Sequence, residues 1–455
     1  MNTLISLSIL GVVTLFLGIF NRNKWILPVV IGGLTITLGI NIFDFWNHCK
    51  SFENMFYTDH FNVLFNTLMI VSTIVVCCMS AQYYKNDTRS LEGIYAIIIF
   101  TLAGGVLMVS AANLATFFVG LEILSISLYL LAGSHKSSFL SNEAAMKYFL
   151  MGSFASAFLL FGIALLYGAT GSIYYNDIAN YINTNSNQLP LMLKAGVILV
   201  AIGMSFKVAA APFHFWAPDV YHGSPSIITA FMITTVKVAG FAAFLRLTMM
   251  CFGNQTEIWT LSISIIAALS IIIGNVSALS QKRMKRMLAY SSISHTGYIL
   301  IALVSLQALT PSIILYYAAA YVASNLAAFI VVIMLKQSFG NSDLEVFNGL
   351  AKKNPVIAIC TTIAFLSLTG IPPLAGFMGK YLVFTSAIDS GYLWLVIIAI
   401  LGSITSIFYY FRPIINMYMK ESGLGEIVTS KGTMIILIIL TLATIVLGFL
   451  PQLFL

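Results

Sequence analysis

The chain has 455 residues, 59% of them hydrophobic and only 8% charged, whereas a soluble domain carries about 25% charged residues; it is built for lipid, not water. Its net charge of +7 does not point to nucleic acid, because the Lys and Arg residues lie in short loops between apolar runs, the topology signal of membrane proteins. The five cysteines show no CxxC spacing and no glycine fingerprint follows a strand, so no disulfide framework, iron–sulfur site, nucleotide site or metal is expected on the chain.

A spanning helix needs about 20 mostly apolar residues. Such runs predict an all-α polytopic membrane protein with about fourteen spans, at 2–20, 25–45, 61–83, 93–111, 113–133, 143–168, 190–220, 226–250, 257–279, 286–306, 311–336, 355–388, 392–419 and 433–454. The first run lacks a basic flank and a cleavage site, and reads as a retained helix. The longest polar stretches are 169–189 and 337–354.

Basic residues set the orientation. Loops after odd-numbered spans hold fifteen: Arg22, Lys24, Lys85, Arg89, Lys136, Lys282, Arg283, Lys285, Arg286, Lys336, Lys352, Lys353, Arg412, Lys420 and Lys431. Loops after even-numbered spans hold two, Lys50 and Arg246. The odd loops are therefore predicted to face the cytoplasm, with both termini on the other side. The cluster "QKRMKRMLAYSS" before span 10 reads as a cytoplasmic anchor that also suits acidic lipid or a neighbouring subunit.

Two spans are interrupted. Span 7 carries Pro212 and Pro218, and span 12 carries Gly370, Pro372, Pro373 and Gly376. Each proline removes a backbone donor, and broken backbone at membrane depth is tolerated only against protein or water. Two breaks five spans apart predict a pair of inverted repeats, spans 4–8 and 9–13. The chain then divides into an N-terminal segment 1–90, a first repeat 91–250, a second repeat 251–420 and a C-terminal helix 421–455. A plain proline kink in each helix is the alternative.

Few ionisable residues are left inside the spans. Glu122 stands in a span otherwise free of charge, and Lys207, Lys237 and Lys380 each lie about ten residues from a span end. Charge at that depth costs a few kcal/mol on insertion scales and marks function. Burial disfavours a lone charge and pairing favours it, so a buried Glu near a Lys forms a switchable pair. Snorkelling, the bland explanation of a membrane lysine, suits Lys194 and not these three. Lys147 either pairs with Glu143 one turn away or links Glu122 to Lys207. Ser291, Ser294, His295 and Tyr298 share a helical face, which serves as a proton-conducting stripe or a hydrogen-bonded seam. His214 is a candidate for a proton entry path, and Asp219 is expected at the membrane edge.

The segments "GLEILSISLYLLAG", "FKVAAAPFHFWAPDVYHGSPSIITAF", "KRMLAYSSISHTGYILIAL" and "LSLTGIPPLAGFMGKYLVF" together resemble the antiporter-like subunits of respiratory complex I, over roughly residues 90–420. The resemblance implies a proton-translocating membrane-arm subunit of an NADH–quinone oxidoreductase. Glu122 and Lys207 would form the glutamate–lysine pair of a first half-channel, Lys237 the central link, and Lys380 the group exchanging protons with the far side. NADH, FMN, iron–sulfur clusters and quinone would belong to other subunits. The implied partners are a sister antiporter-like subunit M, the small membrane subunits J and K, and lipid, in a bacterial inner membrane. A multisubunit cation/proton antiporter or a membrane-bound hydrogenase is the related alternative.

Overall fold

A computed structural model of the chain describes residues 1–20, 23–46, 54–85, 91–185, 189–252, 257–421, 427 and 429–454. Arg22, Lys50 and Arg89, read above as topology signals, and Cys49 lie outside the described residues. The described chain is helical. In order come α1 (Asn2–Ile19), α2 (Asn23–Trp46), α3 (His60–Tyr83), α4 (Leu91–Ser110), α5 (Leu114–Ala132) and α6 (Phe139–Thr170). Next are α7 (Tyr175–Thr184), α8 (Leu191–Lys207), α9 (Trp216–Gly223), α10 (Ser226–Phe231), α11 (Lys237–Leu247), α12 (Glu257–Leu279) and α13 (Met284–Val304). The rest are α14 (Thr310–Phe339), α15 (Leu350–Lys353), α16 (Pro355–Thr369), α17 (Ala375–Asp389), α18 (Leu393–Met419) and α19 (Lys431–Phe449).

Among the described residues, twelve stretches are long and apolar enough to cross a membrane as continuous helices. The other two predicted spans are each split, span 7 into α8 and α9, and span 12 into α16 and α17. Both breaks contain a cis proline bond, Ala211–Pro212 and Pro372–Pro373. Span 8 is also irregular: π-helical turns Met232–Val236 and Thr248–Phe252 flank α11, and Lys237 follows the first of them. The apolar run there gave no hint of the widened turn, which is frequent at functional sites. The polar stretch 169–189 contains α7, a short helix that buries Tyr175, Ile178 and Ile182.

Polar caps start several helices. Asp59, Asn113 and Ser138 each accept a backbone N–H at the start of α3, α5 and α6, satisfying donors that have no partner within the helix. Small residues then bring helices together. A Cβ on Gly104 or Gly120 would fall 2.6 Å from backbone of the facing helix in the α4–α5 pair, and one on Gly274 would fall 2.5 Å from Ser294 N in the α12–α13 pair. In lipid, such close backbone approach replaces the hydrophobic drive that water supplies. The segments 226–252, α13 and α14 are enclosed almost completely, while α1, α2, α6, α18 and α19 keep most of their surface outside.

One buried ion pair ties the N-terminal helices to this core. Arg246, 4% exposed, donates Nη1 to Asp59 Oδ2 at 2.5 Å and Nη2 to Asp59 Oδ1 at 2.8 Å and Asn62 Oδ1 at 2.7 Å. Its guanidinium lies 4.4 Å from the Phe61 ring centroid. The sequence reading put Arg246 in a loop; it sits inside α11, where its side chain reaches Asp59, the cap of α3, and Asn62 in the first turn of α3. Arg246→Ala leaves a partly buried carboxylate unpaired, and a loss of about 3–5 kcal/mol is expected for a broken buried pair. Blue-native gels will show the subunit missing from its complex, and Arg246→Lys, without the planar fork, will restore it only in part. Burial pushes the Asp59 carboxyl up, but its bonds to Arg246 override that and hold it below its ordinary value. The pair's stabilisation is therefore full above the unfolded value, about 3.9, and is lost as pH falls below it. Thermal unfolding followed from pH 7 to pH 3 will show a steeper acid loss in the native protein than in Asp59→Asn.

Candidate functional site

Lys207 is the last residue of α8. The helix stops because Ala209 takes a left-handed conformation, φ +58°, which costs a non-glycine residue about 1–2 kcal/mol, and because Pro212 has no N–H to continue the ladder. Such strain persists only where surroundings enforce it. Here Ser270 Oγ of α12 accepts Ala211 N at 2.8 Å, and Trp216 Nε1 of α9 returns to the Phe206 carbonyl at 3.2 Å. Lys207 is 7% exposed and donates to Ser125 Oγ of α5 at 2.7 Å.

Glu122 lies one turn before Ser125, half-buried, and accepts Ser156 Oγ of α6 at 2.5 Å. No direct ion pair joins Glu122 to Lys207 among the described residues. Instead Ser125, Ser156 and Lys207 share a cavity of about 10 Å3, near the smallest volume that holds a water. The stacked pair Trp216 and Tyr148, with ring centroids 4.4 Å apart, lies beside it.

Lys237 is 3% exposed. It donates to the Ser292 carbonyl at 2.5 Å and Thr296 Oγ1 at 2.7 Å, both on α13. Thr296 Oγ1 in turn reaches the carbonyl of Val208, beside Lys207, at 2.9 Å. The Thr296 hydroxyl thus stands between the Lys237 ammonium and the carbonyl of Val208, the residue after Lys207.

Lys380 is 4% exposed. Its Nζ donates to the Thr369 carbonyl at 2.8 Å and Ser403 Oγ of α18 at 3.2 Å, and lies 4.6 Å over the Tyr298 ring. The break explains the placement. Ending α16 at Thr369 leaves carbonyls without an N–H partner, and Lys380 takes one of them. Gly370 is left-handed, φ +90°, and a Cβ there would come 2.9 Å from Lys380 Cδ and 3.3 Å from Nζ, so the absent side chain makes room for the lysine. The Lys380 ammonium thus meets the C-terminal end of α16, where the backbone dipole favours a cation, while Lys207 is itself the last residue of α8.

The stripe on α13 faces three neighbours, since that helix is buried on all sides. His295 Nδ1 meets Tyr317 OH of α14 at 2.8 Å, and Ser291 bonds the Tyr410 hydroxyl of α18. Tyr298 OH accepts Ser403 Oγ at 3.4 Å and Asn275 Nδ2 of α12 at 3.4 Å. Ser294 Oγ donates to the Ser291 carbonyl of its own helix at 2.8 Å. His214 is buried in the span 7 break with Nδ1 unpaired. Lys147 reaches Glu143 at 2.8 Å and Asp219 at 2.9 Å, and Arg286 reaches Asp219 at 3.2 Å. This network ties α6, α9 and α13 at the rim, and it does not place Lys147 between Glu122 and Lys207.

Sequence reasoning missed the hydroxyl partners and one cation. Lys285, counted with the loop anchors, is 1% exposed and donates to the Ser224 and His222 carbonyls at 2.6 and 3.0 Å, pinning the end of α9. Its seven-residue spacing from Ser292 places it on the inward face of α13. Ser125 was also legible as the residue one turn after Glu122. The described residues hold no His/Cys/Asp/Glu group suited to a metal.

Two broken helices, each with a buried lysine at its break, and a third lysine between them form the polar centre of this membrane protein. Residues 111–406 match the family described as NADH:quinone oxidoreductase/Mrp antiporter, TM. The NADH-quinone oxidoreductase subunit N of Flavobacterium psychrophilum is 44% identical over 93% of this chain and 92% of its own length, and that of Cytophaga hutchinsonii is 39% identical over 100% and 99%. A chain of the respiratory complex I of Thermus thermophilus, solved with bound aureothin, is 31% identical, with a TM-score of 0.86 over 99% of this chain and 98% of its own. The chain belongs to the NADH-quinone oxidoreductase subunit N family. It is a multi-pass bacterial membrane protein of a multisubunit membrane complex.

Proposed function

We propose that this chain conducts protons through the membrane arm of an NADH–quinone oxidoreductase, along Glu122, Lys207, Lys237 and Lys380. The observation that carries the reading is the set of three lysines, enclosed at membrane depth without a carboxylate in salt-bridge contact among the described residues and liganded by hydroxyls and carbonyls. An ammonium held this way gains and loses a proton more readily than one locked in an ion pair, and the cost of burying several charges is not explained by scaffolding. In this reading α13 is the spine of the route. It touches Lys237 through Ser292 and Thr296 and Lys380 through Tyr298, while His295 and Ser291 carry polar contacts outward. Lys147 and His214 stand at the entrance, beside the first break.

Electron transfer from NADH to quinone, with FMN and iron–sulfur clusters in other subunits, drives the charge movement. This subunit supplies no redox group. Residues 91–250 and 251–420 act as two inverted half-channels, with the N-terminal segment 1–90 and the C-terminal helix 421–455 outside them. The basic loops face the cytoplasm of the bacterial inner membrane, both termini face the other side, and the neighbours are the sister subunit M and the small subunits J and K.

The test is Lys237→Met in the intact complex. NADH–quinone reductase activity coupled to pumping is expected to fall by about a hundredfold or more, the scale of a lost proton-transfer group, with assembly unchanged. Full activity in an assembled variant would remove Lys237 from the route. Purification of the native chain without flavin and iron–sulfur subunits would instead favour a cation/proton antiporter.

A further inference from the structure

The outer face of the first repeat carries a groove of about 920 Å3 between the first turns of α4, the end of α5 and the start of α6. That volume falls within the range of small-ligand clefts, about 300–1,000 Å3. Ile97, Leu130, Met146 and Phe149 form apolar walls, and Lys136, Ser137 and Asn142 stand at the rim. Gly93 lines the opening, and a Cβ built on it meets nothing within 4 Å. Lys136 is exposed and has no carboxylate partner among the described residues. Its loop, 133–138, joins two spanning helices on the side that the basic loops share.

We infer that this groove binds an anionic phospholipid of the cytoplasmic leaflet, one acyl chain between the apolar walls and the phosphate at Lys136. The chain's surroundings at this depth are hydrocarbon, so an open apolar cleft is filled by lipid tails or by protein. Charge complementarity selects the lipid: a cation without a partner and two polar side chains cluster at the height where a headgroup sits, and the walls below them are apolar. A neighbouring helix filling the cleft would leave Lys136 uncompensated unless it brought its own carboxylate. The four residues of the proton route are not among those lining the groove, so lipid binding and proton conduction are separable.

The experiment uses the intact complex reconstituted with phosphatidylglycerol or phosphatidylcholine carrying a photoreactive group in one acyl chain, and maps the labelled peptides by mass spectrometry. Label from phosphatidylglycerol is expected on the peptides of the groove at about five times the level of phosphatidylcholine, the preference one lysine near the surface confers. Lys136→Glu will erase that preference. Gly93→Trp, which projects into open space, will reduce label from both lipids while the complex assembles. Equal labelling by the two lipids, labelling that Gly93→Trp leaves untouched, or no labelling of these peptides, as when a neighbouring subunit fills the groove, would overturn the assignment.

Discussion

Lys207→Ala is expected to remove most of the pumping-coupled quinone reductase activity of the complex without preventing its assembly. The alanine leaves no buried charge behind, because Lys207 is held by the Ser125 hydroxyl and not by a carboxylate in contact. Removing one member of a buried ion pair strands the other and destabilises by about 3–5 kcal/mol; no such stranded partner arises here. In the proposed route, what is lost is the proton-exchanging group between Glu122 and Lys237. Lys207→Arg is expected to fail as well, since a guanidinium stays protonated and does not exchange. Activity near the native level in either variant, measured on assembled complex in native membranes, would show that Lys207 is a structural group.

Gly370→Ala is the second large effect, and it tests the break rather than the charge. A left-handed alanine costs about 1–2 kcal/mol, and its Cβ would enter the 2.9 Å space now held by Lys380 Cδ. The lysine must swing away from Thr369 O and Ser403. The variant is therefore expected to behave like Lys380→Met, with most coupled activity lost in an assembled complex. The double variant should be no worse than either single one, because residues that act as a unit are not additive. If the two losses multiply, Gly370 acts on something other than Lys380.

Much of this was legible before any coordinates. Apolar runs gave the helices, and Pro212, Gly370, Pro372 and Pro373 marked the two breaks, because backbone without its ladder leaves an obvious signature. Glu122, Lys207, Lys237 and Lys380 stood out because lipid makes a lone charge costly. The rest depended on packing. Lys285 and Arg246 looked like loop charges, since each lies near a helix end, where a shift of one turn decides between headgroup and interior. Ser156 is one of many serines in apolar helices, and nothing in its spacing marks its contact with Glu122; Ser125 folds back on the Leu121 carbonyl as many such serines do, and its second contact, with Lys207, depends on packing. The stripe on α13 read as one face, but an enclosed helix offers each of its polar residues a different neighbour.

The central claim, that these lysines carry protons through this chain, is tested most directly by counting protons moved per NADH oxidised in liposomes containing the intact complex. The comparison is between the native protein and Lys380→Met at matched residual turnover. The proposed route requires fewer protons per NADH in the variant. An unchanged ratio would mean that protons cross elsewhere in the complex and that Lys380 only supports turnover.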